Sequence, residues 1–319
     1  MIKKKSRKKM STARKAEMGF YISIVTLPFI MFILMSVIPG YFYIFIFVIQ
    51  KYDPYTGNLY FQPDIFYNIR EFLHTLLQQP DWAIGALNSF KLWLISWTLM
   101  PVSLFTSFYV AKKMPASRFF RFILMMPGML SGMIWVLLYK NFADFALVDL
   151  FNLPYGALSD IDQQFTAVVI YGIWMSIPSS LLVYSGVLSG VSSELIDAGR
   201  VDGLNLVGEF WHISLPHLYP VWMVSLIGML TGFLTASGSV FEFYGLNANR
   251  NNYTIGFLMF QKVMSNNGVA YYGFNAAGSI VFSFVGLPIT LIGKWALERY
   301  GPSEDSREPI RWFWRRKKV

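Results

Sequence analysis

Residues 194–220 read ELIDAGRVDGLNLVGEFWHISLPHLYP, a run of acids, glycines and an asparagine between two long apolar stretches. Ser192 and Ser193, just before it, are good helix N-cap residues, and Glu194 suits the positive end of a helix. As far as Val201 the run reads helical, with Leu195, Ala198 and Val201 recurring every three residues. Gly203 can take a positive φ and turn the chain. Asn205 can then cap a second helix carrying Leu206, Phe210 and Ile213 at i, i+4 and i+7. Pro216 removes a backbone donor and disfavours helix at Leu215, so a stop is expected there. The spacing predicts helix, tight turn, helix, stop, with an apolar stripe that needs a protein groove. Glu194 and Asp197 lie at i, i+3, a spacing compatible with acid–base or metal chemistry. No histidine lies close by in sequence and no nucleophile motif accompanies them, so catalysis is disfavoured and the choice lies between a solvated loop and a docking element.

The surroundings of this insert decide what it can dock to. Of 319 residues, 55% are hydrophobic and only 14% charged, with mean hydropathy +0.43. Soluble domains carry about 25% charged residues, so this is expected to be an integral membrane protein. There is no cysteine, which excludes disulfides, thiolate metal sites and cysteine catalysis. The three histidines fall in no metal-binding spacing, and no cofactor is expected. A GxxxxGK[ST] phosphate loop is also missing, so the chain is not expected to hydrolyse ATP on its own, and it is read as a non-enzyme.

A helix needs about 20 apolar residues to cross the hydrocarbon core. Six stretches qualify: 19–48 (interrupted by Pro28 and Pro39), 87–111, 119–139, 166–188, 218–241 and 276–295. Lys and Arg concentrate on one side of these spans. Eight precede residue 18, four lie in 112–121, the insert holds Arg200, and eight more run from Lys294 to the end. The excess of Lys and Arg marks the cytoplasmic side, giving an all-α protein of six transmembrane helices, N-in and C-in. Its expected parts are a basic tail (1–18), a six-helix domain (19–295) with the polar loop at 189–216, and a second basic tail (296–319). The tails attract anionic membrane lipids. No nucleic acid is expected, because no fold is left to bind it.

The external segments are readable too. In 64–80, Ile65, Ile69, Phe72, Leu73, Leu76 and Leu77 share one helical face, predicting a short amphipathic helix on the outer surface. The acidic stretch 141–165 and the Asn-, Gly- and Tyr-rich stretch 242–275 read as external loops, the second partly re-entrant. Asn252 heads an NYT triplet that matches the glycosylation acceptor pattern.

Laid out from Asp197, the insert runs Asp197-Ala198-Gly199, three residues, Gly203, nine residues, Ile213-Ser214-Leu215-Pro216. This resembles the E-A-A-x3-G-x9-I-x-L-P loop of permease subunits of ATP-binding-cassette importers. Asp202 and Phe210 also match frequent residues of that loop. Asp replaces the leading Glu, and Gly199 replaces the second Ala at up to about 1 kcal/mol of helix propensity, unless a close approach needs the missing methyl. The loop's place between the fourth and fifth spans, together with GALNSF (85–90), MMPGMLSGMIWVLLY (125–139) and IYGIWMSIP (170–178), is similar to the carbohydrate-uptake, maltodextrin-permease-like branch. The resemblance covers about residues 70–295.

It implies a type I importer permease in a prokaryotic cell membrane, with the insert as coupling helix. Glu194, Asp197, Ala198, Gly199, Asp202, Gly203, Phe210, Ile213, Leu215 and Pro216 would form the coupling loop. Implied partners are a cytoplasmic ATP-binding-cassette ATPase, a second permease in a heterodimer and an extracellular substrate-binding protein, with a sugar, an oligosaccharide for choice, as cargo. Among small and hydroxylated residues of the fourth and fifth spans, Met175, Ser176, Ser179, Thr231, Gly232 and Thr235 are the pathway candidates. No carboxylate lies mid-span to couple ions. Lys91 sits near a span end, where it can snorkel. The alternatives are another solute for the same machinery, or an ATP-independent channel or enzyme.

Overall fold

The computed structural model describes residues 12–265 and 268–301. In chain order the helices are α1 (Thr12–Phe32), α2 (Tyr43–Val48), α3 (Tyr67–Gln78), α4 (Pro80–Ala111), α5 (Ser117–Met125), α6 (Gly132–Asn141), α7 (Leu147–Phe151) and α8 (Gln164–Leu188). They continue as α9 (Ser193–Val201), α10 (Leu206–Glu209), α11 (Leu215–Met229), α12 (Gly232–Thr235), α13 (Val240–Tyr244), α14 (Ile255–Met264) and α15 (Tyr272–Tyr300). A two-stranded hairpin, Gln50–Tyr52 with Leu59–Phe61, lies between α2 and α3. The basic tails expected at 1–18 and 296–319 fall mostly outside the described residues.

Contacts divide the chain into two compact units. The first holds residues up to Phe72 and Val269–Ile280. In it α1 passes through a wide π-helical stretch, Ile33–Phe42, into α2, and the run Gly19–Val48 is strongly apolar and largely unburied until Val48. A helix apolar all round is built for lipid or for a core. The amphipathic helix expected after it is present as α3, but its buried stripe differs. Asn68, Phe72 and Thr75 point inward, while Leu73 and Leu77 are exposed and Ile65 lies ahead of the helix. A polar residue leads the stripe because it closes the chain on itself. Asn68 Nδ2 donates to the carbonyls of Val48 (2.7 Å) and Gln50 (2.8 Å), and Phe72 meets Phe274 edge-on at 5.1 Å.

The second unit holds Leu73–Gly268 and the residues from Val281 on. Its axis is α8, which joins two cores. Near its start, Val168 and Tyr171 pack with Trp135, Val136, Leu158 and Phe243. Near its end, Tyr184 and Leu188 pack with Leu104 and Phe108 of α4 and with Phe210, Leu215 and Leu218. Four described helical runs are long and apolar enough to cross a membrane: Gly19–Val48, Pro80–Ala111, Gln164–Leu188 and Gly268–Tyr300. The third and fifth expected spans are broken. Ser117–Met129 and Gly132–Phe151 meet at 109°, Leu206–Met229 and Gly232–Tyr244 at 50°, so the count is six only if each bent pair is one span. Pro127 and Gly128 mark the first break, where Gly128 lies against Pro178 of α8.

Each break strands backbone groups, and α4 satisfies those near the second. Trp93 Nε1 donates to the Met229 carbonyl (2.7 Å), beside the bend. Asn88 Nδ2 donates to the carbonyls of Asn251 (2.8 Å) and Tyr253 (2.9 Å), and Ser89 Oγ accepts from the Ile255 amide (2.9 Å). Thr254 caps α14 and donates to the Ser237 carbonyl (2.9 Å). The stretch expected to be a partly re-entrant loop is therefore a set of short helices pinned to α4, with Gly85 close to Leu258 and Thr254. Asn252 is fully buried and donates to Gln164 Oε1 (2.7 Å), so the glycosylation triplet is closed to modification.

Asn88→Ala removes the donor from two partly buried carbonyls and is expected to cost about 1–2 kcal/mol. Thermal unfolding in detergent measures the loss. Proteolysis at 245–255 should quicken with it, and unchanged cleavage there would remove Asn88 from its pinning role.

Candidate functional site

The polar loop folds as expected at its start. Ser192 Oγ accepts from the Leu195 amide (3.3 Å) and opens α9. At its end, Gly203 takes φ +86°, a value that strains any residue with a Cβ, and its amide returns to the Arg200 carbonyl at 3.0 Å. The Leu204 amide bonds the Gly199 carbonyl (2.9 Å), closing the turn. Asn205 Oδ1 then accepts from the Gly208 amide (2.8 Å) and starts the second helix.

The expected stop at Pro216 does not occur. α10 runs through a π-helical turn, Phe210–Ser214, directly into α11, and Leu215 is helical at φ −66° and ψ −44°. Proline is tolerated in the first turn of a helix, where its missing amide costs no bond, and π turns relax the usual ladder. The loop is thereby fused to the fifth span rather than hinged from it.

Gly199 has its reason inside the loop. A Cβ there would stand 2.9 Å from Ile213 Cδ1 and 3.0 Å from Leu204 Cδ1, so α9 lies close against the second helix. The candidate residues divide accordingly. Gly199, Phe210, Ile213 and Leu215 are buried, and Pro216 is half-buried. Glu194, Asp197, Ala198, Asp202 and Gly203 face outward together with Leu195, Leu206, Val207 and Val201, the last 88% exposed. Of the expected stripe, the α9 part is free and the Phe210–Ile213 part is internal. Asp197 pairs with Arg200 at 3.2 Å, both well exposed, a contact of little energetic weight.

Two contacts fix this loop to α4. The Phe210 ring stacks on Phe105 at 4.8 Å and meets Phe108 edge-on at 5.1 Å. Beside them Lys112, just past the end of α4, forms an ion pair with Glu209, whose side chain is only 5% exposed. Burial, and after it the Arg200 guanidinium, pull the Lys112 pKa down, and Asp197 opposes them. The sequence reading missed Glu209, and a lone acid in the helix after the turn gave no sign of a partner nearly a hundred residues earlier.

A cavity of about 550 Å³ opens between α4, α8 and α11. Its lining includes Ser96, Ser103, Gly172, Ser176, Ser179, Ser180 and Ser225 with Leu92, Leu99, Met100 and Met229, and holds no Asp, Glu, Lys, Arg or His. Five of the serines donate to carbonyls of their own helices: Ser96 to Leu92, Ser103 to Leu99, Ser176 to Ile173, Ser179 to Ser176 and Ser180 to Ile177. Of the pathway candidates, Ser176 and Ser179 line it. Met175 packs instead with the Trp135 cluster, Thr231 lies against Gly286, and Gly232 faces Trp93. Thr235 is also absent from the wall. Missed were the α4 serines, whose spacing of seven from 96 to 103 was a legible signal.

The family of binding-protein-dependent transport system inner membrane components matches residues 100–303. The multiple sugar-binding transport system permease protein MsmF of Streptococcus mutans is 24% identical over 181 residues, 55% of this chain and 62% of its own length. The arabinooligosaccharides transport system permease protein AraP of Bacillus subtilis is 28% identical over 234 residues, 69% and 72% of the two chains. Less than two thirds of the Streptococcus protein is thus spanned. In fold, the chain resembles a bacterial ABC transporter involved in import of the acidic polysaccharide alginate (TM-score 0.67, 16% identity, 90% of this chain and 98% of that one).

Glu209→Leu leaves Lys112 without its carboxylate and is expected to cost about 3 kcal/mol, whereas Glu209→Leu with Lys112→Met should cost markedly less. Melting curves of both variants in one detergent decide it; equal losses would mean that the pair does not anchor the loop.

Proposed function

This chain belongs to the binding-protein-dependent transport system inner membrane components, and from that premise we propose that it is the permease subunit of an ATP-driven oligosaccharide importer. The carrying observation is the outward face of the polar loop, Glu194, Leu195, Asp197, Val201 and Asp202, mounted on a rigid base by Phe210 and the Lys112–Glu209 pair. Apolar side chains exposed beside acids suit a protein groove. A partner ATPase that closes on ATP would push this face. Because the second helix continues into α11 without a hinge, the push would tilt the fifth span and, through the Phe210 cluster, α4 and α8 as well. Hydrolysis then belongs to the partner and transport to this chain.

The proposal carries the topology with it: six spans counting each bent pair as one, both ends and the polar loop in the cytoplasm, a six-helix domain at 19–295 between basic tails, and a prokaryotic plasma membrane. A second permease would complete the pathway and an extracellular binding protein would deliver the cargo. A neutral sugar is favoured by the cavity wall, which offers hydroxyls and no cation. A polyuronate such as alginate would need cations to meet its carboxylates. Relatives named for sugar and arabinooligosaccharide transport support the same class.

Asp197→Lys, at an exposed position, should leave the protein folded while abolishing ATPase association and uptake. Ser180→Phe should fill the cavity and block uptake with the ATPase still bound. The deciding experiment is gentle purification of the tagged chain from its native membrane, with mass spectrometry of what accompanies it. An ATPase, a second permease and a binding protein are expected. Recovery of the chain alone after crosslinking would sink the reading.

A further inference from the structure

The turn joining α4 to α5 encloses a second cavity, of about 480 Å³, whose lining includes Lys113, Pro115, Ala116, Ser117, Arg118 and Arg121. Its neighbour Lys112 already has a counter-ion in Glu209. Lys113, Arg118 and Arg121 have no acidic partner among the described residues, unlike Arg70 with Asp64 or Arg250 with Asp81. Three exposed cations around one hollow give it a positive potential that an anion entering it would meet.

The turn is built to keep them there. The Tyr109 hydroxyl donates to the Pro115 carbonyl, the Ser117 amide to the Met114 carbonyl at 2.9 Å, and the Tyr109 ring meets Phe120 edge-on at 5.8 Å. Lys113 and Ala116 both have left-handed backbone, at φ +52° and +59°, which residues other than glycine seldom adopt and which surrounding structure must enforce. Beyond the cations, Phe119, Phe120 and Phe122 are exposed on the same helix, Phe119 and Phe120 falling between Arg118 and Arg121 in sequence. Cations beside exposed aromatic rings suit the level of lipid headgroups.

We propose that this cavity binds a phosphate group, carried by an acidic phospholipid or free in solution. The inference is independent of what the chain transports and stands even if the importer reading fails.

The test is native mass spectrometry of the purified full chain with phosphatidylglycerol, with phosphatidylcholine and with inorganic phosphate alone. Preferential retention of phosphatidylglycerol is expected, lowered about fivefold by each of Arg118→Gln and Arg121→Gln. Arg299→Gln, at the end of α15, should leave retention unchanged. Displacement of the lipid by inorganic phosphate, with stabilisation of the wild type alone, would name the soluble anion as the source. Two results would overturn the site: equal loss in Arg299→Gln, which indicates diffuse attraction to basic surface, or equal retention of both lipids without response to phosphate. Both arginines are exposed, so melting curves should confirm that the variants remain folded.

Discussion

A backbone that breaks in apolar surroundings leaves amides and carbonyls that water cannot reach, and each must be given a partner from within the protein. This constraint explains the order of the second unit. Its fifth span bends at Met229 and dissolves into short helices through Met264, yet the stranded groups are met by Asn88, Ser89 and Trp93, all on α4. Helix α4 thus acts as a splint: one regular helix supplies the bonds that an irregular neighbour gives up. The same helix receives the polar loop at its other end, through Phe105, Phe108 and Lys112. The loop and the broken span are thus both tied to α4.

The parts that were readable in sequence are those set by local chemistry. Ser192, Gly203 and Asn205 cap and turn the chain where their side chains, or the lack of one, predict. The unreadable parts depend on neighbours. Pro216 signals a stop by its own stereochemistry, but a π turn just before it places the ring in a first helical turn, where it does no harm. Gly199 looks like a weak helix residue until Ile213 and Leu204 are seen against it. Glu209 has no local motif at all, because its partner arrives from another helix.

The cavity shows the same division. Ser176 and Ser179 lie on a regular helix, so their direction follows from helical period. Thr231, Gly232 and Thr235 come at and after a 50° bend, and a bend changes which way every later residue points. The amphipathic α3 failed in a related way: its period was right, but the stripe that buries is led by Asn68, whose amide closes the hairpin rather than filling a core.

Five serines of the cavity wall direct their protons to carbonyls of their own helices. A hydroxyl committed in this way presents only lone pairs to the space it faces. These five serines thus face the cavity as weak, uncharged acceptors, beside the hydroxyl-bearing Tyr184 and Ser225. A molecule that brings its own protons can move from one acceptor to the next without meeting a deep well. Conduction needs binding that is strong enough to admit and weak enough to release. On the proposed reading, such a surface would hold a neutral solute only briefly, and finer discrimination among neutral solutes would fall to whatever selects them before they enter.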